Sequence, residues 1–186
     1  MSFYDSESNI EKYIEIAKGY DGRELIEILK SHISSGASVL ELGSGPGVDL
    51  EILNQSFDAT GSDFSKCFIK RLNETYPDFE ILEVDVKNIE LRRKFDCVYS
   101  NKVLVHLNDL ELAASLKKQV DLLSKGGILF HTFWFGDKQE MMEDLLFNYI
   151  NKERLNQLIP PELEVVEIKV YKEMEENDSV YIILKR

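Results

Sequence analysis

The chain predicts an α/β fold: a doubly wound, mostly parallel seven-stranded sheet with helices on both faces and an antiparallel strand pair at the C-terminal end. Three observations lead to this prediction. Five short apolar runs alternate with helical patterns, as in successive βαβ units. Two later strand-like runs follow one another without a helix between them, so they should pair antiparallel at one edge. The length of 186 residues suits a single domain over residues 1–186.

The first 36 residues predict helices that cap the sheet, because Ile10, Tyr13, Ile14 and Ala17 recur at helical spacing and a second apolar set spans residues 25–33. A buried strand over residues 38–42 follows and begins the core, which we place at residues 37–136. A short helix should start near residue 49. The other parallel strands are expected at residues 57–62, 79–84, 95–100 and 128–134.

Capping residues predict where two helices of the core begin. Ser65 suits the N-cap of a helix over residues 65–75. Asn108 followed by Glu111 has the spacing of a capping box and predicts a helix to residue 123, which Gly126 and Gly127 should end.

The C-terminal part, residues 137–186, predicts one helix and a late hairpin. The helix is expected over residues 138–150, extending toward 158. Strands are expected at 163–171 and 180–185, with a polar turn between them.

Composition narrows the classes of partner. Lys and Arg number 22 against 34 Asp and Glu, a net charge of −12. This balance disfavours binding to a phosphate backbone or to an anionic membrane surface. Cys67 and Cys97 are too few and too far apart for a disulfide scaffold, and the three histidines form no metal-binding pattern. We expect a cytoplasmic protein, monomer or homodimer, that acts on a small molecule without nucleic acid, membrane or metal.

A glycine loop follows the first strand, and two acids follow the next two strands. The loop Gly43–Gly47 comes after Glu41 and opens a helix. Glycines there allow a tight turn and the close approach of a ligand to backbone amides. The spacing is GxGxG, with Val48 in place of the last glycine of the dinucleotide fingerprint. Asp63 can accept hydrogen bonds from ribose hydroxyls, and Asp85 suits a base or an amino group.

Five segments, in this order and at this spacing, resemble the motifs of class I S-adenosylmethionine-dependent methyltransferases. The resemblance covers residues 36–135 and includes the turn into the fifth strand. The segments are Val39–Gly47, Gly61–Ser65, Leu82–Val86, Phe95–Asn101 with Val103–Leu107, and Leu122–Leu129. The late antiparallel strands also fit this family.

The resemblance implies S-adenosylmethionine as the cofactor, S-adenosylhomocysteine as its product, and a set of binding residues. Glu41 with Gly43, Ser44, Gly45 and Gly47 would surround the methionine part of the cofactor. Asp63 would bind the ribose, Phe64 would line the adenine, and Asp85 and Val86 would hold the adenine edge. Ser100 and Asn101 would lie near the methionine part and the transferred methyl group.

Residues for the acceptor are less defined by the sequence. His106 follows the fourth strand and is the candidate general base, since an imidazole pKa near 6.5 suits proton removal. A packing role for His106 is the alternative. Tyr4, Tyr13 and Tyr20 could form a lid or simply cover the sheet, and Trp134 and Phe135 could wall a pocket or fill the core. His131 is expected to be structural.

The predicted reaction is methyl transfer to a small molecule by in-line displacement, which depends mainly on proximity and orientation. An NAD-dependent oxidoreductase and a non-catalytic cofactor-binding module of the same fold are the alternatives. The acceptor atom stays open among oxygen, nitrogen, sulfur and carbon. Lys102 follows Asn101 where methyltransferases of adenine and glutamine amides carry a Pro-Pro-aromatic pattern, which counts against those substrates.

Overall fold

The computed structural model describes residues 3–186, and it has an α/β architecture. The helices are α1 (Glu7–Ala17), α2 (Arg23–Leu29), α3 (Val48–Leu53), α4 (Lys66–Thr75), α5 (Asp109–Val120) and α6 (Lys152–Leu158). The strands are β1 (Ser38–Leu42), β2 (Asp58–Asp63), β3 (Ile81–Glu83), β4 (Phe95–Asn101), β5 (Leu123–Trp134), β6 (Lys138–Met142), β7 (Leu145–Tyr149), β8 (Glu164–Tyr171) and β9 (Ser179–Lys185). Short 3₁₀ turns cover Phe3–Asp5 and Leu104–His106.

Seven strands form one sheet in the order β3-β2-β1-β4-β5-β9-β8. The pairs among β1 to β5 are parallel, whereas β9 pairs antiparallel with both β5 and β8. The predicted fold class and the late antiparallel pair are therefore confirmed. Because the chain order reverses between β1 and β4, the carboxyl ends of β2, β1 and β4 meet at a crevice, where ligands bind in open α/β sheets. We call this edge the rim.

Helices cover both faces of the sheet, because successive strand residues point to opposite sides. On β4, Val98 belongs to the apolar core under α5 and α6, and its neighbours Cys97 and Tyr99 belong to the core under α2, α3 and α4. None of the helices within residues 3–186 is both long enough and apolar enough to cross a membrane.

The two predicted helix starts are confirmed. The Ser65 hydroxyl accepts a hydrogen bond from the Phe68 amide at 3.3 Å. Asn108 and Glu111 make both halves of a capping box, each at 3.0 Å. These caps satisfy helix amides that have no partner within their own helix.

The predicted end of α5 is wrong. The helix ends at Val120, and Gly126 and Gly127 lie inside β5 instead of stopping a helix. Phe95 of β4 pairs with residue 123, but its neighbour two residues on pairs with residue 128, so the register shifts here. Gly126 takes a φ of 80° within this irregularity, which explains a glycine inside a strand.

The helix predicted over residues 138–150 is also wrong, because β6 and β7 form a hairpin and α6 begins only at Lys152. The turn residues Glu143 and Asp144 have φ values of 48° and 65°, the left-handed pair of a type I′ turn. The usual Asn-Gly signal is missing, and Met, Glu and Leu favour helices locally. Contacts with the turn after β4 override that preference. We call residues 138–149 the inserted hairpin.

Candidate functional site

The glycine loop crosses the rim between β1 and α3 with three left-handed residues, Gly43, Gly45 and Gly47. A Cβ on Gly43 would lie 2.6 Å from the Val103 side chain, and one on Gly47 would lie 2.6 Å from the ring of Tyr76. Both positions therefore require glycine for two reasons, since an L side chain is strained at positive φ and has no room. The loop backbone is consequently held close to the strand ends.

Ser44 fastens the glycine loop to β2. Its amide donates to the carbonyl of Ser62 at 2.8 Å, and its hydroxyl accepts from the Ser62 amide at 3.1 Å. The side chain is buried and directed toward β2, so it positions the loop.

Asp63, at the end of β2, lies at the centre of the rim. One carboxylate oxygen accepts from the Gly45 amide at 3.0 Å and the other accepts from the Ser65 amide at 2.9 Å. Burial raises the pKa of this carboxyl, while the backbone hydrogen bonds of Ser65, Gly45 and Phe64 oppose the rise. Asp63 thus joins the glycine loop to the start of α4.

Glu41 is a buried acid on β1 that is only partly satisfied. It is 3% exposed, and its Oε2 has no hydrogen-bond partner among the described residues. Burial and the nearby Asp49 raise the pKa of Glu41 to about 8, while a hydrogen bond with Ser44 opposes the rise. An orphaned carboxylate oxygen of this kind is a place for a ligand donor.

Asp49, in the first turn of α3, is a rim residue that the sequence did not single out. It accepts hydrogen bonds from the Gly22 amide at 2.6 Å, the Tyr99 hydroxyl at 2.9 Å and the Asn101 side-chain amide at 3.1 Å. Burial raises its pKa despite these bonds. Its position two residues after the glycine loop was the available signal.

Glu41, Asp49 and Asp63 form a group of buried carboxylates that we call the acidic trio. Their partners are amides and hydroxyls, and no Lys or Arg of residues 3–186 forms an ion pair with them. Burial raises the pKa of all three carboxyl groups, because a buried charge without a counter-ion is costly. A ligand that carries positive charge would favour their ionised form.

Tyr4 bridges the rim from the end of β2 to the turn after β4. Its carbonyl accepts from the Ser65 hydroxyl at 2.6 Å, and its ring centroid lies 6.3 Å from that of Phe64 and 6.1 Å from that of His106. Tyr13 packs edge-on against Tyr4 at 5.7 Å. The N-terminal segment therefore packs over this part of the rim.

Tyr13 reaches the glycine loop, whereas Tyr20 does not take part in these ring contacts. The Tyr13 ring lies 3.8 Å from the place of a Cβ on Gly45. Tyr20 is 47% exposed on the turn between α1 and α2. Two of the three predicted lid tyrosines thus lie at the rim.

His106 has one ring nitrogen fixed and the other directed to the rim. Nδ1 lies 2.8 Å from the carbonyl oxygen of Leu146, and Nε2 lies 3.4 Å from the Tyr4 hydroxyl. Because a carbonyl can only accept, Nδ1 carries the hydrogen, and the lone pair of Nε2 faces the Tyr4 hydroxyl. Burial lowers the pKa of His106 and the charge of Lys87 adds to the effect, while the hydrogen bond to the Leu146 carbonyl opposes it. The lowered pKa favours the neutral imidazole, in which Nε2 can accept a proton.

Ser100 and Asn101 end β4 with different partners. The Ser100 hydroxyl lies 2.8 Å from Nδ1 of the fully buried His131, whose pKa burial lowers to about 3. Asn101 donates to Asp49 and accepts from the Thr132 hydroxyl at 2.6 Å. Asn101 thus belongs to the rim network, while Ser100 is engaged with a histidine inside the sheet.

Lys102 is a second residue that sequence reasoning missed. It has a φ of 56°, and its Nζ lies 2.6 Å from a carboxylate oxygen of Glu173 and 2.9 Å from the Ser179 hydroxyl. The same Nζ lies 4.5 Å from the ring centroid of Trp134. The ammonium group of Lys102 therefore occupies the face of the Trp134 ring. The cluster of Lys102, Trp134, Glu173 and Ser179 connects the turn between β8 and β9 to the end of β4.

The predicted adenine-side residues lie at the outer part of the rim. Asp85 is exposed after β3, where its carboxylate accepts from the Lys87 amide at 2.8 Å. Val86 packs against the core, and Phe64 is 40% exposed. The Phe135 amide donates a hydrogen bond to the backbone carbonyl of Asp178 at 2.7 Å, and its side chain packs against the core.

Among the residues that the structure describes, no group of three or more His, Cys, Asp or Glu side chains is placed to hold a metal ion.

Comparison with known proteins gives one family and several relatives. Residues 39–127 match the family model described as a methyltransferase domain. A phosphoethanolamine N-methyltransferase of Zea mays is 30% identical over 114 residues, which are 58% of this chain and 22% of that protein. A malonyl-[acyl-carrier protein] O-methyltransferase of Acetivibrio thermocellus is 30% identical over 141 residues, which are 72% of this chain and 48% of that protein. The chain thus spans half or less of the length of these two relatives.

A solved structure agrees with the whole architecture. It is the 1,6-didemethyltoxoflavin-N1-methyltransferase of Burkholderia thailandensis, with bound 1,6-didemethyltoxoflavin and S-adenosylhomocysteine. The TM-score is 0.80 at 16% sequence identity, and the alignment covers 96% of this chain and 84% of that one. This likeness establishes the fold.

Proposed function

We propose that the chain is a class I S-adenosylmethionine-dependent methyltransferase that transfers a methyl group from S-adenosylmethionine to a small-molecule acceptor, and its match to the methyltransferase-domain model supports this. The acidic trio carries this proposal. It lies beneath the glycine loop with a free Oε2 on Glu41 and no Lys or Arg partner in the described chain. S-adenosylmethionine, when bound, supplies a sulfonium positive charge and an electrophilic methyl group.

The residues of the rim are suited to hold such a cofactor. The glycine loop and Glu41 would hold its methionine part, and Asp63 would accept hydrogen bonds from ribose hydroxyls. Phe64, Asp85 and Val86 would line the adenine. Of the two residues at the end of β4, Asn101 is the better candidate near the methyl group, because the Ser100 hydroxyl is engaged with His131.

This chain would contribute to the reaction in three ways: it would align the reacting groups, exclude water from the site and remove a proton from the acceptor. A displacement at an activated methyl needs its groups held in line more than it needs further activation. Tyr4 and Tyr13 would exclude water from above the glycine loop. His106 would accept the proton of the acceptor at Nε2, the nitrogen that carries the lone pair, with the acceptor taking the place of the Tyr4 hydroxyl beside it.

The acceptor is proposed as a small molecule with a proton to lose. The two curated relatives are named for transfer to nitrogen and for transfer to oxygen. These names support an acceptor of either kind and do not choose between them.

Calorimetric titration with S-adenosylmethionine, with NADH titrated in parallel, tests the cofactor. We expect saturable binding of S-adenosylmethionine alone. No binding at about millimolar cofactor, which means an affinity weaker than about −4 kcal/mol, would contradict the proposal.

Transfer is tested with methyl-deuterated S-adenosylmethionine and a panel of amines, alcohols, carboxylates and thiols. Mass spectrometry should detect a deuterated methyl group on one class. Cofactor binding without transfer to any member of the panel would favour a non-catalytic module.

A further inference from the structure

The inserted hairpin presents its second strand directly to His106. The Leu146 carbonyl of β7 accepts the hydrogen of Nδ1 at 2.8 Å. The ring of Phe147, the next residue, packs edge-on against the imidazole with centroids 5.0 Å apart. The orientation of His106 therefore depends on where β7 lies.

Asn148 fixes β7 to the turn that carries His106. This side chain is 1% exposed, and its Nδ2 donates to the Leu107 carbonyl at 2.9 Å and to Asp109 at 3.1 Å. Its Oδ1 accepts from Arg154 at 2.8 Å. A buried amide with both ends bonded has one allowed position, so it sets the distance between the two backbones.

Arg154, on α6, supports Asn148 from the other side. Its guanidinium makes a two-point contact with Asp109, at 2.8 Å from Nε and 2.6 Å from Nη2. Nη1 also donates to the Tyr149 carbonyl at 3.1 Å. Two-point guanidinium–carboxylate contacts are strong and directional. The hydrogen bonds among Asn148, Asp109 and Arg154 thus join three elements, which are β7, the first residue of α5, and α6.

We propose that Asn148 is a positioning residue for His106. By holding β7 against the turn at Leu107, it places the Leu146 carbonyl where it binds the Nδ1–H tautomer, and Nε2 then faces the rim as the proton acceptor. The catalytic meaning of this arrangement rests on the proposed function. The tautomer itself is a property of the protein without any ligand.

The charged side chains near His106 are held in ion pairs. Lys87 forms an ion pair with Glu111 at 2.9 Å, and Asp109 forms one with Arg154 at 2.6 Å. The Tyr4 hydroxyl is the polar group next to Nε2. A change in the titration of His106 that follows a change at Asn148 therefore reports a change of geometry.

The experiment is NMR of protein with ¹⁵N-labelled histidine, in which His106→Gln assigns one of the three imidazoles. We expect His106 of the unchanged protein to be the Nδ1–H tautomer. In Asn148→Leu the tautomer ratio should change by roughly tenfold, the worth of one hydrogen bond, and the titration midpoint should fall, because the hydrogen bond to the Leu146 carbonyl raises the pKa of His106. Gln119→Leu is the matched control, because Gln119 is another buried amide, on α5, bonded to Ser115. It should leave the His106 signals unchanged.

A folded Asn148→Leu protein with the same tautomer and midpoint for His106 would overturn the proposal. Should that variant fail to fold, Arg154→Lys replaces it, since it keeps the charge and loses the two-point contact. It should move the His106 signals in the same direction by less, and unchanged signals would again overturn the proposal. Once an acceptor is known, the kcat of Asn148→Leu should be lower than that of the unchanged protein, while the KM for the cofactor should be the same. Absence of any transfer would count against the proposed function and leave the tautomer result standing.

Discussion

The two sides of the rim are built differently. On the proposed cofactor side, the glycine loop and Asp63 are placed by the ends of adjacent parallel strands and by backbone hydrogen bonds. On the proposed acceptor side, His106 is placed by the inserted hairpin, which lies outside the main sheet and is held by the side chains of Asn148 and Arg154. One half of the site is thus determined by the strand ends, while the other half depends on contacts between segments distant in the chain.

Replacing His106 separates the two sides most strongly. In His106→Gln, kcat should fall by roughly 10²–10⁴-fold, the usual contribution of a general base, while the affinity for S-adenosylmethionine stays unchanged. In the unchanged protein, the lowered pKa of His106 predicts that the rate declines only as the pH falls below about 6.5. Single-turnover and steady-state assays measure both. His32→Gln is the control, and an unchanged kcat in His106→Gln would remove the base role.

Gly47→Ala tests the backbone of the cofactor side. We expect a loss of about 2–5 kcal/mol of unfolding free energy, because a left-handed L residue costs about 1–2 kcal/mol and overpacking against Tyr76 adds about 1–3 kcal/mol. Gly36→Ala is the matched control, since Gly36 has a φ of 77° and a Cβ there would meet no described atom within 4 Å. Gly36→Ala should lose only the about 1–2 kcal/mol of unfolding free energy that a left-handed L residue costs. Urea unfolding compares the two, and equal losses would show that the space around Gly47 is irrelevant.

Asp63→Ala tests the central acid of the same side. The loss of hydrogen bonds to a charged group should weaken cofactor binding by about 1–3 kcal/mol, which is roughly 5–150-fold in Kd. Calorimetric titration measures it. Asp58→Ala, at the exposed start of β2, should bind as the unchanged protein does. An unchanged affinity in Asp63→Ala would take the ribose role away from this residue.

Glu41→Gln should have opposite effects on stability and on binding. The folded pKa of about 8 lies above the ordinary value of 4.5, so the native state binds more protons between these values and loses stability as the pH rises through them. The amide cannot ionise, and local relaxation limits its advantage at pH 8.5 to roughly 1–2 kcal/mol, or about 2–8 °C in Tm. Thermal unfolding at pH 5 and 8.5 measures the gap, which is the difference in Tm between Glu41→Gln and the unchanged protein. A gap that does not widen with pH would contradict the raised pKa. Cofactor affinity should fall in the same variant.

Features with a local cause could be predicted from the sequence. The caps at Ser65 and Asn108 depend on residues three positions apart, and they were confirmed. The glycine loop and Asp63 follow strand ends, where a short apolar run and the next polar residue are enough to place them. The roles of these residues toward a cofactor stay predictions.

Features with a distant cause could not be predicted. The inserted hairpin consists of helix-favouring residues and turns at Glu143 and Asp144 without a glycine, so its local pattern indicates a helix. Its strand form depends on the Leu107 carbonyl, 41 positions before its partner Asn148. Lys102 was missed for the same reason, because Glu173 lies 71 residues later.

The contact between Lys102 and Trp134 also provides an intrinsic fluorescent probe. Trp134 is the single tryptophan of the chain, and an ammonium group lies over its ring at the end of β5. When tyrosines are not excited, the fluorescence therefore comes from this one indole at the end of β5. A ligand that moves Lys102 or Glu173 changes the polarity around the indole, so binding can be followed optically without an added label.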